Sequence, residues 1–184
     1  MTLRITESMR AAITIRLLQH RFERDKKALK RREHDLAMKV HRLRYSAAIR
    51  KHMNDLPDGW LPTAGMIQVH VGSYWRKLYF TENVRVQFID QHGSFDLNKT
   101  ENADLAAAIQ KHFEEISALD KQEEDLRKKT IGTLAGFSTI NRLVAAWPEI
   151  KPFVDQLGYD SEKKSLPAVI PADLNASLGL QAAA

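Results

Sequence analysis

Apolar residues recur at every seventh position in Ile15, Phe22, Leu29, Leu36 and Leu43. This spacing keeps one line of side chains on one helix face. No Gly or Pro precedes Pro57, and Thr6 followed by Glu7 suits a helix start. The pattern predicts helix from Thr6 to about Asp55. The companion positions of the repeat are Ala12, Gln19, Lys26, Glu33, Val40 and Ala47. Their polar members fall in the middle, so the apolar stripe thins between Gln19 and Asp35. Such a helix would run ~73 Å at 1.5 Å per residue, more than a compact domain of this size accommodates, so it projects or breaks.

Leu56-Pro57-Asp58-Gly59-Trp60-Leu61-Pro62 ends it with a strong turn signal. Met66–Val71, Trp75–Phe80 and Val84–Ile89 are rich in β-branched and aromatic residues, with turns at Gly72-Ser73 and Glu82-Asn83. They predict a three-stranded antiparallel meander, followed by a loop or short further strand over 90–98. A second long helix is expected from Asn102 to Lys129, with a stripe of Leu105, Ile109, Phe113, Ile116 and Leu119 and a break at Gly132. Leu134, Phe137, Ile140, Leu143, Val144 and Trp147 predict a third helix, and Pro148 suits the first turn of a short fourth. The proline-punctuated segment Leu166–Leu174 is expected to be extended, with a brief helix from Asp173. It covers the domain's own sheet or docks on a partner.

The fold class that accounts for this is α+β. A long, coiled-coil-like antiparallel helical hairpin is joined by the β-meander, and a small C-terminal helical bundle and extended tail follow. One domain spans 1–184, with a basic helical arm at 1–55, turn and meander at 56–100, helices at 101–158 and tail at 159–184. In the hairpin, residues 120–125 would lie opposite the mid-thirties of the first helix. Glu114, Glu115, Asp120, Glu123, Glu124 and Asp125 would then face the basic arm.

Charge sharpens the picture. The first 55 residues hold fifteen Lys+Arg against six Asp+Glu, a local +9 in a chain whose total is +5. Such polarity favours an anionic partner, nucleic acid or an acidic protein surface, or else the chain's own acidic later helix. The chain has no Cys, which excludes disulfides, thiolate catalysis and Cys-based zinc sites. The N-terminus lacks the apolar core of a signal peptide, and no apolar run reaches the length of a membrane span. A soluble protein made without export is expected, with no membrane partner.

The candidate binding residues are Arg21, Arg24, Lys27, Lys30, Arg31 and Arg32, clustered where the apolar stripe is thinnest. Arg24, Lys27 and Arg31 share a face at a spacing that can track phosphates. The alternative is a solvated coiled-coil flank. No aromatic residue is interleaved with these charges, which weighs against single-strand binding. The seven histidines form no His-x-x-x-His pair, so neither a metal nor another cofactor is expected. No nucleophile elbow or phosphate-binding glycine loop occurs, and no catalytic residue is assigned. A helix-turn-helix at Thr133–Trp147 would put Arg142 at a core position, so a buried bundle helix is the better reading. Trp60, Trp75 and Trp147 are core anchors in the ordinary reading. One exposed beside a basic face would become a contact residue.

Leu3–Phe22, the Leu-Pro-Asp-Gly-Trp-Leu-Pro turn, Trp147-Pro-Glu-Ile150 and the Leu-Pro-Ala-Val…Leu-Asn…Leu-Gly-Leu ending at 166–180 resemble, in order and spacing, a family of uncharacterised bacteriophage proteins. It is the fifth of the nucleotide-modification-associated domain families. The resemblance implies a phage-encoded accessory acting in the cytoplasm of the infected host, without implying a reaction. Together with the basic arm it leads to a non-enzymatic protein that binds nucleic acid or a host or phage enzyme acting on nucleic acid. Such a protein would protect DNA, assist its modification or inhibit host defence. Two other classes stand beside it: a structural protein, whether virion component or coiled-coil homo-oligomer, and an enzyme of nucleotide modification.

Overall fold

A computed structural model describes residues 3–43, 45, 65–79, 91–159 and 172–180. The protein is α+β. Helix α1 spans Glu7–Arg42, strands β1, β2 and β3 span Met66–Val71, Tyr74–Tyr79 and Gln91–Asp96, and α2 spans Ala103–Ala135. The short helices α3 (Ile140–Ala146), α4 (Lys151–Gln156) and α5 (Ala172–Leu178) follow. Two compact units result, one of Met1–Arg24 with Leu119–Ala184 and one of Asp25–Ala118.

In the first unit, Thr6 caps α1 as expected, its Oγ1 accepting the Met9 N–H at 3.2 Å. Met9, Ile13, Leu17, Leu18 and Phe22 then pack against Leu126 and Leu134 of α2, Ile140, Leu143 and Val154 of the short helices, and Trp147 at the end of α3. Ile15 of the seven-residue line is 49% exposed instead. A straight helix at 3.6 residues per turn drifts off a strict seven-residue repeat, so the buried stripe follows the four-residue steps from Met9 to Leu17. The extended start of the chain is pinned at both sides, Ile5 N–H donating to Ser138 C=O and Ile140 N–H to Leu3 C=O. Arg10 donates to the C=O groups of Leu134 and Phe137, so α1 and α2 run antiparallel here.

Three expectations change in this unit. Helix α2 passes through Gly132, because burial of Leu134 outweighs the ~1 kcal/mol that an interior Gly costs. The third helix is shorter than expected: Thr139 caps it, and Gly136–Ser138 form the connection. Leu174 and Leu178 of the C-terminal segment enter the helical core instead of covering a sheet. Within α2, Glu123 and Glu124 bracket Arg127.

In the second unit, Leu36, Ala37 and Val40 of α1 share a core with Ile67, Val69, Val71, Leu78, Leu97 and Ile109. The helices again pair antiparallel, with Arg32 in an ion pair with Glu115. The register differs by about ten residues from the expectation that 120–125 oppose the mid-thirties. Helix α1 ends at Arg42, short of Asp55.

The sheet order is β2-β1-β3. β1 and β2 form the expected antiparallel hairpin, but β3 lies parallel to β1 on its other side, with a register shift between Met66 and Gln68. The sheet is therefore mixed and not an antiparallel meander. Ile67, Val69 and Val71 are buried, and a strand so covered accepts neighbours on both edges. The expected strand Val84–Ile89, the turn at 56–62 with Trp60, and the segment 166–171 lie outside the described residues.

Candidate nucleic-acid interface

Helix α1 carries no buried side chain from Glu23 to Asp35, while Phe22 and Leu36 on either side are buried. The thin apolar stripe thus corresponds to a solvent-facing stretch. Arg24 of the first unit and Lys27, Lys30 and Arg31 of the second are exposed on it. Lys30 and Arg31 follow Lys27 by three and four residues, so each neighbours it on the helix surface.

The other two predicted residues are partly absorbed by the scaffold. Arg21 is half-buried, with Nε donating to Ser177 C=O at 3.0 Å and its guanidinium 5.1 Å from the Phe22 ring centroid. It lines a cleft of about 280 Å³ in the first unit with Gln122, Asp125, Lys129 and Ser177 over an apolar floor of Phe22 and Leu126. Arg32 is held by Glu115.

Glu33 connects this stretch to the sheet. Its Oε1 accepts the Tyr79 N–H of edge strand β2 at 3.0 Å. Partial burial raises its carboxyl above the ordinary range, against the opposing pull of that hydrogen bond and of the Lys30 ammonium. Lys30 therefore neighbours the carboxylate that holds the end of β2.

Strand alternation sorts the sheet into two faces. Ile67, Val69, Val71 and Leu78 point to the core. Arg76 shares that side, its guanidinium 5.1 Å from the ring centroids of both Tyr74 and Phe113. The opposite face carries Trp75, Lys77 and Tyr79 on β2, Gln68 and His70 on β1, and Ser94 and Asp96 on β3. Register places Trp75, His70 and Asp96 in one row, and Lys77, Gln68 and Ser94 in the next. The Trp75 and His70 rings stack at 5.0 Å and 18°, and Trp75 stays 57% exposed.

A polar network fixes the row. Asn98 Oδ1 accepts the Gly72 N–H at 2.8 Å and its Nδ2 donates to Gly72 C=O at 3.3 Å, clamping the hairpin turn. The same Nδ2 lies 3.1 Å from His70 Nδ1, and Asp96 Oδ1 lies 3.4 Å from that nitrogen. Asp96 is held below the ordinary carboxylate range, first by the Asn98 N–H it accepts and then by His70. Gly72 adopts φ +60°, the left-handed conformation that suits glycine in such a turn.

Of the two described tryptophans, Trp147 is the fully buried anchor expected, whereas Trp75 is exposed, with Lys77 on the same face. The sheet-face cluster was not assigned from the sequence. Its signal is the alternation of Gln68 and His70 with Ile67, Val69 and Val71, which marks a wet face opposite the core. Among the described residues, no group of three or more His, Asp or Glu is placed to hold a metal ion. His41 and His112 are both buried, and the two nitrogens of His112 have no hydrogen-bond partner among the described residues. Burial, and then the Arg32 charge, lower the pKa of His112 against a raising effect of Glu115. No described helix is long and apolar enough to cross a membrane.

Neither curated proteins nor solved structures give a match to this chain. The family model for nucleotide modification associated domain 5 matches residues 4–181. Since that match covers nearly every residue of both units, the chain belongs to the nucleotide modification associated domain 5 family.

Proposed function

We propose that the protein is a nucleic-acid-binding accessory of nucleotide modification, encoded by a phage and working in the cytoplasm of the infected cell. It acts by occupying the polyanion instead of transforming it. The observation that carries this reading is the exposed group Lys27, Lys30 and Arg31 of the second unit, on a stretch of α1 with no buried side chain. Such a group neutralises successive phosphates and releases their counterions, a driving force independent of sequence. Family membership supports the link to nucleotide modification.

The test is a fluorescence-anisotropy titration of the full chain with duplex DNA over a range of salt. Binding should weaken steeply as salt rises. Reversal of three charges in K27E/K30E/R31E should lower the magnitude of the log–log salt slope by about 2.7, at roughly 0.9 per phosphate contact. Absence of salt-sensitive binding by the unaltered chain overturns the reading and turns attention to an acidic protein partner.

A further inference from the structure

We propose that the outer face of the sheet is a stacking platform for an unpaired nucleobase, with Trp75 as the stacking surface and Lys77 as the contact to the adjoining phosphate. This deepens the nucleic-acid reading above and rests on it, since the cations of α1 supply the long-range attraction.

Three observations of the second unit carry it. The first is the ring pair. Trp75 lies against His70 on one side, which fixes its plane, yet more than half of its surface stays in water. A large apolar ring left exposed on an edge strand, and held rigidly, offers a π-face at little further ordering cost. Stacking of this kind accepts any base and is a principal source of single-strand affinity.

The second is charge placement. Lys77 is exposed on the same face, two residues or ~6.6 Å along β2 from Trp75. That is the reach of one sugar-phosphate step, so a base on Trp75 and a phosphate on Lys77 belong to one nucleotide track. Asp96 stands at the far end of the Trp75 row, on β3, with His70 and the Asn98 N–H against its charge. The track therefore follows β2, away from that carboxylate.

The third is continuity. β2 runs from Trp75 through Lys77 to Tyr79, whose N–H is held by Glu33 next to Lys30. An aromatic ring, a cation and a second aromatic ring alternate along the strand and lead toward the basic stretch of α1. Aromatic groups interleaved with charge, missing from the helix itself, are thus supplied by the sheet. A duplex keeps its bases stacked inside and cannot use Trp75 this way, so the platform selects unpaired strands.

The experiment uses the full chain with two fluorescein-labelled probes, oligothymidylate and a duplex of equal length. Trp75→Ala should weaken oligothymidylate binding about 5- to 100-fold while leaving duplex binding unchanged, and Trp75→Phe should restore most of the loss. Unaltered melting temperatures of both variants verify that the fold is intact. The K27E/K30E/R31E variant should weaken both probes. Oligothymidylate affinity unchanged in Trp75→Ala, alongside losses in the charge-reversed variant, overturns the platform and leaves the helix reading standing. Equal losses on both probes in Trp75→Ala also overturn it. No binding of either probe by the unaltered chain overturns both proposals together.

Discussion

Glu33 on α1 accepts the backbone N–H of Tyr79, so a helix carboxylate satisfies a donor that edge strand β2 turns away from β1. The contact is made by a group whose ionised form is disfavoured by its surroundings. In the unfolded chain Glu33 titrates near 4.5, and in the folded chain its pKa is higher. Between the two values the folded protein holds more protons at this group, so the Glu33 contribution to stability is complete below 4.5 and is lost as pH rises through the folded pKa. Glu33→Gln keeps a carbonyl oxygen for Tyr79 and should flatten that decline. Urea midpoints on either side of this window check it, and an identical pH dependence in both proteins would refute it. Glu33→Ala removes the acceptor as well and should cost roughly 1 kcal/mol more than Gln.

His112 gives the opposite sign of argument. Its folded pKa lies below the ordinary 6.5, because burial and the Arg32 charge disfavour the imidazolium. As pH falls below 6.5 the unfolded chain takes up the proton first, so the His112 contribution to stability is full above that value and is lost on acidification. His112→Leu should remove this component. At neutral pH the substitution should be near neutral or stabilising, since it relieves two nitrogens without partners among the described residues. Thermal melts at mildly acidic and neutral pH compare the two proteins. A large loss on substitution at neutral pH would show that the ring has a partner worth keeping.

Trp147 is fully buried, and its Nε1–H donates to Asn175 Oδ1 of α5. The bond ties the late helix to the core anchor of the first unit. Asn175→Ala leaves that donor without its acceptor and should cost about 1–3 kcal/mol. Trp147→Ala should cost about 3–5 kcal/mol. Hydrogen exchange should show earlier opening of Leu174–Leu178 in the asparagine variant. Unchanged protection there would mean that the buried leucines alone hold the helix.

Gly132 sits in the exposed interior of α2, and a methyl group added there meets nothing within 4 Å. Gly132→Ala should stabilise the protein by about 0.5–1 kcal/mol, through helix propensity and a less mobile unfolded chain. Denaturant unfolding measures this directly, and a loss of stability would contradict it.

The parts of the fold that follow from local chemistry were legible in the sequence. Thr6 caps α1, β1 spans Met66–Val71 as its alternation indicates, and Trp147 is buried at the end of an amphipathic run. Contacts between distant segments were not legible. Gln91–Asp96 contains Phe95 as its sole large apolar residue, so its own pattern gives little strand signal; it is a strand because β1 offers a second edge. Ile15 fits a seven-residue line but lies off the stripe that packing selects. The exposure of Lys27, Lys30 and Arg31 could be read from the thinning apolar stripe. The assembly of Trp75, His70 and Asp96 could not, because register joins residues of three strands.

The bridge between the first residues and the loop before α3 has a bearing on birth at the ribosome. Ile5 finds its partner in Ser138, so the leading segment leaves the exit tunnel long before the chain that completes its surroundings. The inner stretch Asp25–Ala118 is contiguous and is fully synthesised first. Assembly during translation should thus proceed from the middle outward, and a nascent chain arrested before Ser138 emerges should mature in its interior while the Ile5 segment still awaits closure.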